Sequence, residues 1–292
     1  MRILLLGKTG FIGRNLNEFL RERKEFYSCI IEAPSSFELD ALSESAVYSI
    51  LKSGSFDVVL NCLDRRMSPD AEYAEQRLRM YYNLANHSDL FGKMIYFGTG
   101  AEYCRQKPII AIKEKDFGRQ IPLDSYGFAM FQMATHALQS KNIYNFRLFG
   151  IFGPYEDWQK RFISNCICKA ICSYPLTIRQ DRVMDYLYIE DLCKIVTWAM
   201  SSDLTYHAYN ASSSRQYKLT ELAREVSRQA QQELPVYVAK EGLADEYTAS
   251  NELLVTEMQN FHAEPIADSI SKLFDYYAAN ITNINKESLL YQ

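Results

Sequence analysis

A strand, a glycine turn and a helix open the chain, and this unit constrains the fold more than any other feature of the sequence. Ile3–Leu6 is an apolar run typical of a buried strand, and the periodicity that follows predicts a helix over Ile12–Arg23. Between them, Gly7, Gly10 and Gly13 have the spacing G-x-x-G-x-x-G. Glycines placed in this way permit a tight turn, the close approach of a ligand to the backbone, and close packing of the helix on the strand. The unit therefore predicts an α/β fold with an anion site at a helix N-terminus.

The first half of the chain continues this alternation of apolar runs and amphipathic stretches. The predicted strands are Ile3–Leu6, Ser28–Ile31, Val58–Asn61, Met94–Phe97 and Asn145–Phe149, and the predicted helices are Ile12–Arg23, Ser43–Lys52, Asp70–Phe91 and Ser125–Gln139. Strands that recur with helical spacers indicate right-handed βαβ units and a parallel sheet. We therefore expect a Rossmann-type, doubly wound parallel sheet that binds its ligands at the carboxyl ends of the strands.

The regular alternation of predicted strands and helices ends at Gly153 and Pro154. The pattern there predicts a helix, a short strand that ends in a turn, another strand and three more helices; these are Lys160–Ser173, Leu176–Arg179, Tyr186–Ile189, a helix from Glu190, Leu219–Gln231 and Ile266–Ala279. We expect residues 1–153 to form the dinucleotide-binding domain and residues 154–292 to form a smaller α/β lobe for the substrate, with the chain crossing between the two.

Composition excludes several classes of protein. The chain has 292 residues and a formal net charge of −4, which argues against a nucleic-acid partner. It has no apolar run of about 18 residues that would span a membrane, and the apolar N-terminus is too short for a signal peptide.

The seven cysteines have no disulfide framework spacing. Cys166, Cys168 and Cys172 lie in an apolar helical stretch without a histidine nearby, so we expect core packing there and no metal. Free thiols favour a cytoplasmic location.

The strand–turn–helix unit predicts a dinucleotide cofactor, held by the consecutive residues Gly7, Lys8, Thr9, Gly10, Phe11, Ile12 and Gly13. The end of the second strand distinguishes the two nicotinamide dinucleotides. If the strand runs to Ala33, the neutral side chains of Ser35 and Ser36 face the ribose and accept a 2′-phosphate, which favours NADP(H). If it ends at Glu32, a carboxylate faces the ribose and NAD(H) is favoured. We take NADP(H) as the expectation.

Three further segments, together with the glycine turn, resemble the extended short-chain dehydrogenases/reductases, the NAD(P)-dependent epimerases, dehydratases and reductases of nucleotide sugars. Residues 33–40 are similar to the corresponding segment of the GDP-L-fucose synthase branch. Residues 147–154 resemble the family's junction between the last strand and the lobe, and residues 185–191 resemble its C-terminal signature. The similarity extends from Ile3 to about Ala279.

The resemblance implies a catalytic pair and exposes one departure from it. The family uses a serine or threonine after the fourth strand and a Tyr-x-x-x-Lys motif on the next long helix; Thr99 and Tyr126 match these positions, but Met130 stands where the lysine belongs. Without the ammonium group, a phenol of ordinary pKa, about 10, keeps its proton at neutral pH. It is then a poor base but a competent proton donor, so the departure favours carbonyl reduction over alcohol oxidation.

The remaining site residues are expected from the resemblance and from their positions in the sequence: Glu102 lies close to Thr99, Gly150 replaces an asparagine of the family, and Arg179 or Arg182 would substitute for a family arginine that is Met184 here. Beyond the glycine turn, Ser35 and Ser36, the cofactor would contact Cys62, Leu63, Tyr126, Leu148 and Phe149. A nucleotide-diphosphate sugar would contact Thr99, Gly100, Ala101, Glu102, Gly150, Asn165, Arg179 and Arg182. Packing remains an alternative for Glu102, and exposure to solvent for the two arginines. The family often forms homodimers through the tyrosine helix, and we expect one here.

Three functions remain open. The favoured one is NADPH-dependent reduction of a 4-keto nucleotide-linked sugar, such as a GDP-linked deoxy sugar or heptose, in the synthesis of a surface polysaccharide (capsule or lipopolysaccharide). The second is a nucleotide-sugar epimerase or dehydratase that retains NAD. The third is a non-catalytic relative that binds a nucleotide.

Overall fold

The computed structural model describes residues 1–64 and 70–289. Their strands and helices in chain order are β1 (Arg2–Leu6), α1 (Phe11–Glu22), β2 (Ile30–Glu32), α2 (Glu44–Gly54), β3 (Phe56–Asn61), α3 (Asp70–Ala85), β4 (Phe91–Thr99), β5 (Ile109–Ile112), α4 (Ser125–Gln139), β6 (Ile143–Leu148), β7 (Ile151–Phe152), α5 (Phe162–Ile171), β8 (Leu176–Asp185), β9 (Leu187–Tyr188), α6 (Ile189–Ser201), β10 (Ala208–Ala211), β11 (Gln216–Lys218), α7 (Leu219–Gln229), β12 (Val236–Ala249), α8 (Glu252–Glu257) and α9 (Ile266–Ala279).

A six-stranded parallel sheet forms the centre of the molecule, with strand order β10-β6-β4-β3-β1-β2. The alternation of side chains along β1 explains why both of its faces are covered. Ile3 and Leu5 point into one apolar cluster, and Leu4 and Leu6 point into the other. A strand buried on both faces is a continuous apolar run, as the sequence has here. The predicted α/β class with a doubly wound parallel sheet is confirmed.

The sixth strand comes from the C-terminal half of the chain. Ala208–Ala211 pairs in parallel with β6, at the edge of the large sheet. Conversely, Ile109–Ile112 precedes residue 153 and pairs with β12 in a second sheet, of order β11-β8-β12-β5. The chain therefore crosses between the two sheets in both directions.

The second sheet corrects one local prediction. Strand β8 continues without a turn from Leu176 to Asp185, whereas the sequence predicted a short strand that ends at Arg179 and a turn before Arg182. The long strand β12 pairs with β8 from Val236 to Tyr247, and these interstrand hydrogen bonds keep the polar residues 179–182 extended. Sequence patterning did not predict β12, because most of its residues are exposed and its apolar and polar residues do not alternate.

A smaller correction concerns α3, which ends at Ala85 and not at Phe91. Phe91 is buried and begins β4, where it pairs with Phe56. Because it is buried and paired in the sheet, Phe91 belongs to β4 and not to the predicted helix. Within residues 1–64 and 70–289, no helix combines the length and the apolar character that crossing a bilayer requires.

Candidate active site

Four adjacent strands of the large sheet end at the same edge, with β4 and β6 extending three residues beyond β1 and β3, because Asn61 pairs with Tyr96 and not with Thr99. Leu6 at the end of β1 pairs with Asn61 at the end of β3, and Thr99 at the end of β4 pairs with Leu148 at the end of β6. The glycine turn, the segment after β3, the Thr99 turn and Phe149 thus follow neighbouring strand ends. The sheet topology brings these predicted cofactor and substrate segments to one edge, where open α/β sheets bind ligands.

The glycine turn has the tight geometry that its spacing predicts. Gly7 has φ of +83°, in the left-handed region, and a Cβ there would lie 2.5 Å from the Cys62 carbonyl oxygen. A Cβ on Gly13 would lie 2.1 Å from the Gly7 carbonyl oxygen. Neither position therefore accommodates a side chain without movement of the backbone, and α1 packs directly against the turn.

The N-terminus of α1 is open to an anion. Gly10 is its N-cap and supplies no side-chain acceptor, and the first turn carries no acidic residue. Thr9 and Gly10 are exposed, and Lys8, Phe11 and Ile12 are half-buried around them. The free N–H groups and the positive end of the helix dipole suit a diphosphate, so the residues present fit a dinucleotide.

The second strand ends at Glu32, the condition that favours NAD(H). The Glu32 carboxylate, however, accepts a hydrogen bond of 2.6 Å from the Arg2 guanidinium, and Arg2 lies at the opposite end of β1 from the glycine turn. Ser35 follows in the next turn, where its N–H donates to Glu38 at 2.6 Å, and Lys8 lies 3.8 Å from the same carboxylate. These contacts place an ammonium group and one acidic side chain in the turn that contains Ser35.

Thr99 is held by the turn that follows it. Its N–H donates to Glu102 Oε1 at 3.1 Å, and its Oγ1 accepts from the Ala101 N–H at 3.3 Å. These two bonds form a capping box for the short 3-10 turn Gly100–Tyr103. The hydroxyl of Thr99 thereby has a defined position at the strand end.

Tyr126 lies at the start of α4, next to this turn. The Asp124 side chain caps the helix by accepting from the Gly127 N–H at 2.8 Å. Gly127 packs so closely on the preceding turn that a Cβ would lie 3.1 Å from the Ala101 carbonyl oxygen. The ring of Tyr126 stacks on Tyr73 with centroids 5.7 Å apart. The structure thus brings the tyrosine helix against the Thr99 turn, as the resemblance implies.

The residue in the lysine position is part of the core. Met130 has no exposed surface and packs in the apolar cluster of α3 and α4 against the sheet. A guanidinium group does lie near the phenol, because Arg105 Cζ is 5.8 Å from the Tyr126 ring centroid. Its charge is balanced, since Arg105 Nη2 is 2.9 Å from Asp124 Oδ1. Arg105 is also half-exposed, so it is a weak substitute for a buried ammonium group.

A second tyrosine reaches Thr99 from the other sheet, and sequence reasoning missed it. Tyr247 on β12 places its hydroxyl 3.4 Å from Thr99 Oγ1, across 148 residues of sequence. Its ring lies 5.2 Å from that of Phe149, and a Cβ on Gly100 would lie 2.5 Å from its hydroxyl. No sequence signal pointed to Tyr247, because the strand that carries it is mostly exposed and lacks an alternation of apolar and polar residues.

Glu102 lies beneath the site. It is completely buried, and Arg147 Nε donates to its Oε2 at 2.6 Å. Asn145 donates to both carboxylate oxygens, at 3.2 and 3.0 Å. Burial is the largest single influence on the pKa of the Arg147 guanidinium and lowers it, but the charge and hydrogen bond of Glu102, together with Tyr103 and Tyr96, raise this pKa overall. With both oxygens bound inside the protein, Glu102 supports the Thr99 turn and does not reach a ligand.

The other predicted substrate residues differ in their exposure. Asn165 is buried on α5, and Arg179 is exposed on β8. Burial raises the pKa of the Tyr186 phenol. Arg182 lies close enough to act on the same phenol, and its positive charge has the opposite, smaller effect. The space beside Gly150 is filled, because a Cβ there would lie 2.5 Å from the Asp185 carbonyl oxygen.

The predicted cofactor residues after β3 and β6 lie at the sheet edge. Arg77 of α3 donates to the Leu63 carbonyl, and its second nitrogen donates to the Phe97 carbonyl at 3.1 Å. This contact clamps the ends of β3 and β4 together. Cys62, next to Leu63, and Leu148, at the end of β6, are half-buried.

Residues 3–212 match the family described as the NAD dependent epimerase/dehydratase family. The chain belongs to this family. The match covers the glycine turn, Thr99 and Tyr126 but stops before β12, so Tyr247 lies outside it.

Solved structures share the fold over nearly the whole chain at low sequence identity. A GDP-L-fucose synthetase from Naegleria fowleri is 14% identical with a TM-score of 0.84, covering 98% of this chain and 94% of that one. A UDP-glucose 4-epimerase from Thermotoga maritima is 16% identical with a TM-score of 0.79, covering 96% and 100%. A GDP-mannoheptose C4 reductase from Campylobacter jejuni, solved with NADP bound, is 16% identical with a TM-score of 0.78, covering 94% and 98%.

Proposed function

We propose that this family member is an NADPH-dependent reductase of a 4-keto nucleotide-linked sugar. The observation that carries the proposal is the replacement of the family's lysine by Met130, which is buried in the core. The phenol of Tyr126 then lacks the buried ammonium group that would help it act as a base. Reduction requires the opposite role, a phenol that donates its proton to the carbonyl oxygen.

Each of the chain's own groups has a role in this reaction. When bound, the nicotinamide cofactor would supply the hydride that the carbonyl carbon receives. Tyr126 gives its proton to the oxygen as negative charge develops there, and the Thr99 hydroxyl donates a hydrogen bond to the same oxygen. The N–H groups at the start of α1 hold the cofactor diphosphate.

Two structural features bear on the choice of cofactor, and they oppose each other. Ser35, Ser36 and Lys8 offer neutral donors and a positive charge to a 2′-phosphate, whereas Glu38 brings a negative charge to the same turn. Because Glu38 is exposed and can turn away, and because Glu32 is engaged by Arg2, we propose NADP(H). Titration with NADPH and NADH, followed by protein fluorescence, decides this: tighter binding of NADH refutes the NADP(H) assignment.

The substrate class is the finer part of the proposal. We propose a GDP-linked deoxy sugar or heptose for a surface polysaccharide, on the resemblance of residues 33–40 and of the fold to GDP-sugar enzymes. Arg182 is the proposed contact for the nucleotide diphosphate, with Asn165 and Arg179 as further candidates. We also propose a cytoplasmic homodimer, in which the exposed Phe128 and Leu138 of α4 lie at the interface.

The direct test is the fall of NADPH absorbance when a GDP-4-keto sugar is supplied. Tyr126→Phe, which keeps the ring and removes the proton, is expected to lose at least roughly 10²-fold in kcat. Tyr48→Phe, an exposed tyrosine on α2, is the matched control and is expected to retain full activity. An unchanged rate in Tyr126→Phe, or no NADPH oxidation with any 4-keto nucleotide sugar, refutes the proposal.

A second candidate is an epimerase or dehydratase that retains NAD, and the end of β2 at Glu32 is the observation that favours it. Such an enzyme recycles its cofactor, so mass spectrometry of gently purified protein would detect bound NAD. Stabilisation by NADPH and nucleotide sugars without turnover would instead indicate a binding protein.

A further inference from the structure

Tyr247 reaches the Thr99 turn because β12 is irregular at that point. Tyr247 pairs with Met184 of β8 and with Ile109 of β5. The register of the pairing with β8 shifts just before Tyr247, and the register of the pairing with β5 shifts just after it. Such bulges re-aim side chains and occur next to active sites. The irregularity turns the phenol away from the exposed strand and toward the large sheet.

The turn after β4 leaves room for this phenol. The hydroxyl lies where a side chain at position 100 would be, since a Cβ on Gly100 would be 2.5 Å from it. The ring rests against Phe149, the residue that follows β6. Burial raises the pKa of Tyr247 to about 12, against the hydrogen bond with Thr99, which lowers it. The phenol therefore retains its hydrogen at neutral pH.

The hydrogen bonds of Thr99 determine what this contact does. A threonine hydroxyl has one hydrogen to donate and two lone pairs to accept with. One lone pair accepts from the Ala101 N–H. If the Tyr247 hydroxyl donates to the second lone pair, the single hydrogen of Thr99 is left with no acceptor in this turn and is free for the substrate. A phenol is a stronger donor than an alkyl alcohol, which favours this direction.

We propose that Tyr247 is a positioning residue: its O–H donates to Thr99 Oγ1 and so orients the Thr99 hydrogen toward the carbonyl oxygen of the substrate. This inference rests on the proposed function, because it gives Tyr247 a role in carbonyl reduction. Tyr247 acts through Thr99 and not on the sugar itself. It also makes the second sheet part of the catalytic apparatus, since the phenol comes from β12.

The test is a double-mutant cycle on turnover with NADPH and a GDP-4-keto sugar. Tyr247→Phe keeps the ring on Phe149 and is expected to lose about ten-fold in kcat, with KM changed less than about two-fold, because the bond matters when charge develops on the oxygen. In a Thr99→Val background the same change is expected to cost less than about two-fold. Tyr237→Phe, at an exposed tyrosine of the same strand, is the control and is expected to retain wild-type kcat.

Three results overturn the inference. The first is a kcat of Tyr247→Phe within about two-fold of wild type. The second is an equal loss in the wild-type and Thr99→Val backgrounds, which means that Tyr247 does not act through Thr99. The third is strict additivity of the two substitutions in the free energy of unfolding by urea, which means that the two hydroxyls do not interact. Wild-type protein that leaves NADPH unchanged with every 4-keto sugar refutes the proposed function, and the unfolding cycle then still decides whether the hydrogen bond exists.

Discussion

The buried pair of Glu102 and Arg147 offers the sharpest test of how this site is supported. Both side chains are almost entirely buried, with 0% and 1% exposed, and their Oε2 and Nε atoms lie 2.6 Å apart. We consider Glu102→Gln, which preserves the shape of the side chain but removes its charge. The substitution leaves the Arg147 guanidinium in the core without its hydrogen-bonded counter-charge, with the charge of Glu114 still acting on it. It also turns one carboxylate oxygen, an acceptor, into an amide donor that faces other donors.

The expected loss of unfolding free energy follows from this burial. Removing one partner of a buried ion pair typically costs about 3–5 kcal/mol, since the remaining charge is uncompensated. An exposed pair gives the contrast: Lys113 and Glu252 lie 2.7 Å apart, but the side chains are 40% and 72% exposed. Glu252→Gln is therefore expected to cost less than about 1 kcal/mol.

Urea unfolding at neutral pH, followed by tryptophan fluorescence and circular dichroism, measures both variants against the wild type. The prediction extends to activity, because Glu102 Oε1 accepts the hydrogen bond from the Thr99 N–H. We expect kcat of Glu102→Gln to fall even where the protein is fully folded. A stability loss for Glu102→Gln no larger than that of Glu252→Gln would refute the reasoning, because it would show that the charge is not needed in the core.

The remaining predictions concern the glycine turn and a buried carboxyl group. Gly13→Ala is expected to lower both stability and NADPH affinity, because its Cβ would lie 2.1 Å from the Gly7 carbonyl oxygen. Gly10→Ala, with ordinary contacts of 3.4 Å, is expected to unfold within about 0.5 kcal/mol of wild type yet bind NADPH at least about ten-fold more weakly by fluorescence titration; equal affinities would contradict a diphosphate at this turn. Burial raises the pKa of Glu156 from its ordinary value of 4.5 to about 8, so the folded state prefers the neutral form. The neutral Glu156 side chain stabilises the folded state fully below pH 4.5, and this stabilisation is lost as the pH rises toward about 8. Glu156→Gln should therefore gain stability relative to wild type by roughly 1.4 kcal/mol per pH unit over this window, measured by urea unfolding at several pH values, and a difference that does not vary with pH would contradict the assignment.

Much of the large sheet could be predicted from local pattern. Strands β1, β3, β4 and β6 are apolar runs separated by amphipathic helices, and burial on both faces of a parallel sheet requires such runs. The first helix was predicted from Ile12 and begins at Phe11, and the tyrosine helix begins at Ser125 as predicted. Strand β2 was predicted in the correct region, but its end at Glu32 was left open, because one residue at a strand end has little effect on hydrophobic periodicity.

The second sheet could not be predicted in the same way. Strand β12 and the polar half of β8 remain extended because they pair with each other, and backbone hydrogen bonds between strands leave no periodic signature in segments whose apolar and polar residues do not alternate. Glu102 was assigned as a candidate substrate contact because it lies close to Thr99 in sequence. Its partners Asn145 and Arg147 lie on a neighbouring strand, and strand order is not a local property of the chain.

The sequence by itself determined the parts of this protein that depend on neighbouring residues: a glycine turn that only small residues can form, a threonine at a strand end, a tyrosine at a helix start, and methionine in place of a lysine. Tertiary structure alone decided which groups meet at Thr99. The phenol of Tyr247 and the ion pair beneath the turn arrive from strands far away in sequence, because parallel pairing and crossovers bring distant segments to one edge of the sheet. Local patterns record burial and turn geometry, whereas contacts between distant side chains arise only when the sheets assemble.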